Sequence, residues 1–404
     1  MPEKGFRSNS ASALLEGTGV PFVLYAIGTF IICLNNLLYG TGILVETQLA
    51  FRVLSMVLFL VSLAFNIRNL RLTLPWIVVI GLVSVTVLLR GSSSLNFLAI
   101  LLFCLCSSSF DLAKVLKTLL AVALICFAFY FLFTAMGMVH WVISTYATRT
   151  RNTLGFYHVN AAAVFFAAAF LLPLTLKKYR LRIILVCFLF SVAIFFVTDT
   201  RGLLVFGALF LLLGLVFRIA FSKLKSTASK VVIPFAILYG SIVFSYLFPF
   251  IGGSRLDVLL SYRLSIFSDV LTSLDFLEVL FGSGVAPEID NSYIVLLATY
   301  GAFFLILIVV FIHRAITQLI NQENWCWLAF ICSMLLYGVI ESLLFRPELL
   351  ITLAFWAIVF SNQKELSNLK VKDSVEITED YTSSPTCHGK QNTTQYSAGM
   401  RSNG

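Results

Sequence analysis

Charge is scarce in this chain of 404 residues. Only 12% of them are Asp, Glu, Lys or Arg. A soluble globular protein carries roughly a quarter charged residues, so that class is excluded. Proline is also rare, with 9 in the whole length, and the apolar runs are correspondingly long. There is no Gly-rich nucleotide loop and no internal repeat. Of the eight cysteines, Cys33, Cys104, Cys106, Cys126, Cys187, Cys326 and Cys332 fall in or at the ends of apolar runs, and Cys387 is near the C-terminus. None is placed where it would face an oxidising compartment, so no structural disulfide is expected. Cys104 and Cys106 are two apart on a helical stretch and point to different faces, which suits small hydrophobes rather than a metal pair. Neither a metal nor a cofactor is expected.

What remains is apolar: 59% of the residues are hydrophobic, and the mean hydropathy is +0.96. The runs recur at the length a bilayer core requires, about 20 residues, and predict about twelve spans. Their bounds are about 20–39, 48–66, 73–89, 94–110, 117–138, 157–176, 182–198, 202–220, 231–251, 290–312, 324–343 and 347–360. The fold class expected is therefore all-α, a polytopic membrane protein with one bundle over 20–360. Residues 1–19 read as a cytoplasmic N-terminus, too long and too poor in early positive charge for a cleaved signal peptide. Residues 361–404 are polar and read as a disordered cytoplasmic tail. The Asn392-Thr393-Thr394 sequon lies in that tail and is read as chance.

The basic residues divide unevenly. With the N-terminus in the cytoplasm, all 12 lysines fall in cytoplasmic segments, as topology demands. The outer face holds only arginines: Arg90, Arg149, Arg151, Arg201, Arg255, Arg263 and Arg346. Arg52 lies within a span, where it is expected to pair or to snorkel. Topology does not explain arginine outside. A guanidinium offers a forked, two-point grip on phosphate or carboxylate and stays charged. The outer face is thus expected to hold an anion. The net charge of +9 matches lysine-rich loops facing anionic lipid headgroups, and no nucleic acid is implied.

The longest external loop, about 252–289, has its own pattern. From Ser254 to Phe281 it lacks proline and glycine. Leu256, Leu259, Leu260, Phe267, Val270, Leu271 and Leu274 fit one apolar stripe, which predicts an amphipathic helix or helix pair. Ser254 and Asp257 read as a capping box.

Two motifs and this loop carry a resemblance. The run Arg151-Asn152-Thr153-Leu154-Gly155-Phe156-Tyr157-His158-Val159-Asn160 resembles the Arg-x-x-x-Gly…Asn segment of the O-antigen polymerase and ligase family. Thr198-Asp199-Thr200-Arg201-Gly202 is similar to that family's Ser/Thr-x-Ser/Thr-Arg-Gly outer hairpin. A large outer loop follows, ending in Gly282-x-Gly284 and the pair Asp290-Asn291. The resemblance covers roughly residues 145–345. It implies a glycosyltransferase of the bacterial plasma membrane whose donor is a saccharide on undecaprenyl pyrophosphate. A polymerase lengthens lipid-linked repeat units; a ligase transfers the polymer to lipid A core. The family's ligases carry a His-Asn pair where this chain has Asp290-Asn291, which favours the polymerase. The resemblance also implies work beside a chain-length regulator, for which the sequence shows no motif.

The chemistry needs two kinds of side chain. Preorganised arginines stabilise charge on the departing pyrophosphate, and Arg151, Arg201, Arg263 and Arg255, with Asn160 and Asn291, are the candidates for substrate binding. A general base must reach the acceptor hydroxyl. Asp290 ranks first for this and His158 second, with Asp199, Glu341 and Glu348 as further outer candidates. Helix capping is the alternative for Asp290. Arg90 and Arg346 suit snorkelling, or for Arg346 pairing with Glu341 or Glu348. A secondary transporter or lipid-linked oligosaccharide flippase is the rival from another class, but its hallmark is a midplane site between broken helices.

Overall fold

The computed structural model describes residues 19–44, 46–67, 74–90, 95–146, 149–176, 179–223, 227–251, 257, 262–287 and 289–361. The proposed termini and Arg255 lie outside the described residues, as do the side chains of Arg90 and Arg149.

Apolar sequence becomes helix almost throughout. The first half holds α1 (Gly19–Gly40), α2 (Gln48–Phe65), α3 (Leu74–Arg90), α4 (Leu95–Ser107) and α5 (Leu112–Ala135). A short antiparallel hairpin follows, β1 (Ile143–Tyr146) and β2 (Arg149–Asn152), with Ser144 opposite Arg151. Then come α6 (Val159–Phe166), a 3-10 turn (Ala167–Leu171), α7 (Leu172–Thr175), α8 (Arg180–Thr198), α9 (Arg201–Lys223) and α10 (Thr227–Leu247). The outer segment contributes α11 (Arg263–Ser273) and α12 (Phe276–Phe281), and the chain closes with α13 (Ser292–Asn321), α14 (Trp325–Tyr337) and α15 (Leu350–Val359). The protein is an all-helical membrane bundle. Among the described residues, seven helices are long and apolar enough to cross a membrane, and five shorter apolar helices accompany them.

Burial divides the helices into two kinds. Every residue of α15 is buried, and so is nearly every residue of α4 and α14. Such helices, apolar all round, form the centre. Their neighbours keep large apolar side chains outward, among them Phe65, Phe131, Val186 and Phe196, where hydrocarbon would meet them. Rings pack the centre: Trp356 lies edge-on to Phe97 with centroids 5.2 Å apart, and Phe97 meets Phe304 at 4.9 Å.

Within the outer segment expected over 254–281 the described residues form a helix pair, one of the two forms expected, and two details elsewhere depart from the sequence-based expectation. Asp275 caps α12 in a capping box with Glu278, and that cap breaks the continuous helix. The expected Ser254–Asp257 capping box rests on Ser254, which lies outside the described residues. Asp257 Oδ1 accepts from the Leu264 N–H at 2.9 Å and its Oδ2 from the Ser265 hydroxyl, so it caps α11 from upstream.

The span expected over 290–312 continues as helix to Asn321 because Ile312, Ala315, Ile316 and Leu319 keep a buried stripe past the polar His313 and Arg314. It kinks at Gly301, where φ is +82°. At that kink α13 touches the outer segment backbone to backbone: Ser283 N–H donates to Ala298 O at 2.7 Å, and Gly284 N–H to Thr299 O at 3.1 Å. A Cβ on Gly301 would collide with Leu280 O, and one on Gly282 (φ +81°) with Thr299 O. Only glycine allows both the left-handed backbone and this approach.

The second departure matters most. α14 stops at Tyr337, and residues 338–349 form a buried, mostly irregular connection rather than helix. Buried irregular backbone is tolerated only where other groups satisfy it. Here side chains do. Asn291 Nδ2 donates to Val339 O at 3.0 Å, Ser292 Oγ to Glu341 O at 2.7 Å, Thr352 Oγ1 to Leu343 O at 2.6 Å and Trp356 Nε1 to Leu344 O at 2.8 Å.

Candidate functional site

The connection over 338–349 carries Glu341, Arg346 and Glu348 to one end of the bundle, and the two motifs meet it there. Glu341 is 6% exposed. Asn160, in the first turn of α6, donates from Nδ2 to Glu341 Oε1 at 3.4 Å. Gly202, in the first turn of α9, stands so close that a Cβ there would lie 2.6 Å from the Tyr337 hydroxyl and 3.5 Å from Glu341 Oε1. The Arg-Gly pair is thus explained by packing at its second position: only glycine lets α9 start against Tyr337.

From the outer segment, Arg263 opens α11 and reaches inward with both ends of its fork. Nη2 lies 3.0 Å from Asp290 Oδ2, and Nη1 donates to Ile340 O at 2.8 Å. Asp290 does not cap α13. Asn291 does, its Oδ1 accepting from the N–H groups of Tyr293 and Ile294 at 3.0 and 3.1 Å. Asn291 Nδ2 is also committed, to Ser245 Oγ and Val339 O. Asn291 is 1% exposed and fully bonded within the fold, so its geometry is that of a structural cap.

The first motif folds as a local unit. Asn152 Oδ1 accepts from Leu154 N–H at 2.9 Å, turning the chain after β2. Phe156 then stacks on Tyr130, whose hydroxyl donates to Leu154 O. His158 is exposed and caps α6: Nδ1 accepts from Asn160 N–H at 3.2 Å. That bond assigns the ring proton to Nε2. Partial desolvation lowers the His158 pKa; Asp290 opposes the shift, and Arg151 and Arg346 add to it. The cap and the direction of the shift both favour the neutral imidazole.

Arg151 and Asp199 join the two motifs, with Arg151 Nε 3.7 Å from Asp199 Oδ2. Arg151 Nε is buried and has no hydrogen-bond partner among the described residues. Arg201, the first residue of α9, is exposed. Arg346 Nη2 donates to Ser342 Oγ at 3.0 Å. Glu348 pairs not with Arg346 but with Arg52 of α2, at 3.5 Å, which accounts for a charge inside an expected span.

Glu341 stands in the connection beyond the last turn of α14, and burial pushes its carboxyl up to about 7. The neighbouring Asp290 adds to the rise, while Arg263 and Arg346 oppose it. A carboxyl whose pKa is raised by burial and that is flanked by guanidiniums is suited to take a proton from a hydroxyl. Among the residues weighed from sequence, the structure gathers Asn160, Arg263, Asp290 and Glu341 together, with His158, Arg151 and Arg346 in electrostatic reach. From sequence, Asp290 ranks ahead of Glu341 for its place at the end of the outer loop. The signal available was the trio Glu341, Arg346 and Glu348 within eight residues of a span.

No protein-family model, curated protein or solved structure matches the chain.

Proposed function

We propose that this protein is a membrane glycosyltransferase that lengthens a glycan carried on a lipid pyrophosphate, with Glu341 as the general base. The observation that carries it is the convergence on Glu341. A buried carboxyl with a raised pKa meets Asn160 of the first motif, Gly202 of the second and the Arg263–Asp290 pair of the outer segment. The resemblance of those same segments to the O-antigen polymerase and ligase family supplies the reaction class.

The reaction would run as follows. A hydroxyl oxygen of the acceptor glycan bonds to the anomeric carbon of the donor. The bond from that carbon to the pyrophosphate oxygen breaks, and its electron pair leaves with the undecaprenyl pyrophosphate. The hydroxyl proton passes to Glu341. Asn160 orients the carboxylate. Arg151 and Arg201 face the leaving pyrophosphate, where forked donors stabilise the growing charge. Arg263 holds Asp290 and the Ile340 carbonyl, which fixes the segment bearing Glu341.

Seven long and five shorter apolar helices fit twelve crossings, with both termini in the cytoplasm of a bacterium and the cluster at the outer face of the plasma membrane. Asp290 in place of the ligases' histidine favours polymerase over ligase, and its partners would be undecaprenyl-pyrophosphate-linked glycans, membrane lipid and a chain-length regulator. A gel of surface polysaccharide from a strain lacking the gene tests this. Single-repeat glycans are expected. Polymer retained on the carrier lipid would indicate a ligase instead, and an unchanged ladder would refute both.

A further inference from the structure

At the opposite end of the bundle, away from Glu341, a cleft of ≈ 400 Å³ is lined by Tyr179, Arg180, Leu181, Arg182, Arg218 and Trp325. Three chain segments build it: the start of α8, the far part of α9 and the first residue of α14. Its distance from the first site follows from α8, whose 19 residues run from Arg180 in the cleft to Thr198 beside Asp199. A helix of that length rises about 28 Å, close to the thickness of a hydrocarbon core.

The cleft has a uniform sign. Its three charged side chains are all arginines, and among the described residues no carboxylate pairs with any of them. Arg180 Nε donates only weakly, to Leu176 O at 3.4 Å. The Arg182 guanidinium lies 5.2 Å from the centre of the Tyr179 ring, which holds it in place without neutralising it. Tyr179 adopts a left-handed conformation (φ +59°) and leaves α8 with no side-chain cap. The free N–H groups of the first turn, at Arg180, Leu181 and Arg182, therefore add the positive end of a helix dipole to the same cavity.

Positive-inside topology explains basic residues at this end. It does not require that they share a cavity, or that an aromatic pair frame it. The surroundings narrow the ligand further. Arg182 begins a stripe at helical spacing whose next members, Leu185, Val186 and Leu189, are all exposed. On α9, Leu215 lies one turn from Arg218 and is also exposed. Acyl chains would lie against these side chains while a phosphate sat among the arginines, with Tyr179 and Trp325 at the level of the headgroups. Basic pockets between helices bind anionic headgroups in this way.

We propose that this cleft binds a phosphate group, supplied by the headgroup of an anionic phospholipid. Trp325 is its natural reporter. Full-length protein is reconstituted in phosphatidylcholine vesicles containing either dibrominated phosphatidylglycerol or dibrominated phosphatidylcholine, and tryptophan quenching is titrated. A Trp325→Phe variant isolates the contribution of that ring. The expected result is a preference of Trp325 for the brominated phosphatidylglycerol. In the double variant R182Q/R218Q the preference should fall roughly twenty- to thirtyfold, since each basic residue near a headgroup contributes about fivefold. Both arginines are exposed, so the variant should fold. A second arm adds pyrophosphate to the aqueous phase. Fluorescence changes that depend on pyrophosphate and vanish in R182Q/R218Q, with no lipid preference, would uphold a phosphate site but assign it a soluble ligand. Equal quenching by both lipids with no response to pyrophosphate would overturn the proposal.

Discussion

Arg263 Nη2 lies 3.0 Å from Asp290 Oδ2, while Nη1 of the same fork holds the Ile340 carbonyl, one residue before Glu341. One guanidinium thereby ties the outer helix α11, the residue before the cap of α13 and the irregular connection into a single unit. A lysine keeps the charge but has no planar fork and cannot hold both oxygens in this geometry. Arg263→Lys is expected to lower chain growth about a hundredfold or more, by displacing the groups that the reaction needs preorganised. Glycan ladders from cells expressing the variant at normal levels check this; full-length polymer would reduce Arg263 to a surface charge.

Asp290→Asn gives a different expectation from that for a general base. With Glu341 as the proton acceptor, Asp290 serves by pairing with Arg263, and an amide can still accept a hydrogen bond from a guanidinium. Chain growth should be reduced but retained. Complete loss at normal expression, with Glu341→Gln retaining activity, would return the base role to Asp290.

The acid limb of the pH–rate profile follows from Glu341. Its pKa is raised to about 7, so the ionised, proton-accepting form is lost as pH falls through that value, and rate should fall with it. Stability moves the other way. The folded state holds the proton more tightly than the unfolded chain, so the contribution is present at low pH and is lost as pH rises toward 7. Glu341→Gln should flatten the stability trend. An acid limb confined to the ordinary carboxylate range would contradict a buried base.

Gly202 and Tyr337 provide a test by paired substitution. Gly202→Ala places a methyl 2.6 Å from the Tyr337 hydroxyl, and overpacking of this kind costs about 1–3 kcal/mol. Tyr337→Phe removes that oxygen, leaving the ring carbon at 3.5 Å. The double variant should recover much of the thermal stability lost in Gly202→Ala. Independent, additive losses would show that the two residues do not meet.

Much of the architecture was legible because apolar run length maps directly onto helix. The hairpin turn at Asp199 was legible for the same reason, and the helical outer segment from its apolar stripe at helical spacing. Of the residues assigned to the outer face from sequence, Arg151 and Asp199 lie in one ion pair and Arg263 and Asp290 in another. What sequence did not reveal depends on three-dimensional partners. Residues 338–349 are irregular because Asn291, Ser292 and Trp356, remote in part along the chain, satisfy their carbonyls. No local pattern encodes that. The capping roles of His158 and Asn291 were likewise hidden, since a residue that caps a helix and one that binds a ligand look alike until their hydrogen bonds are counted.

Sidedness can be read directly. Cysteine at Ser273 should react with an impermeant thiol reagent added outside intact cells, whereas cysteine at Asn321 should be protected until the membrane is opened. Both positions are exposed, and the seven described native cysteines are buried. The reverse pattern would put the Glu341 cluster in the cytoplasm.

The most direct measurement is turnover by purified protein in lipid bilayers, supplied with an undecaprenyl-pyrophosphate-linked repeat unit and resolved by glycan length. The wild type should build a ladder of lengthened lipid-linked glycans and release undecaprenyl pyrophosphate. Glu341→Gln, which keeps the hydrogen bond from Asn160 but cannot take a proton near neutral pH, should leave the single repeat unchanged. A ladder built as fast by Glu341→Gln as by the wild type would contradict the assignment of the base, and no ladder from the wild type under any donor and acceptor pairing would contradict the polymerase itself.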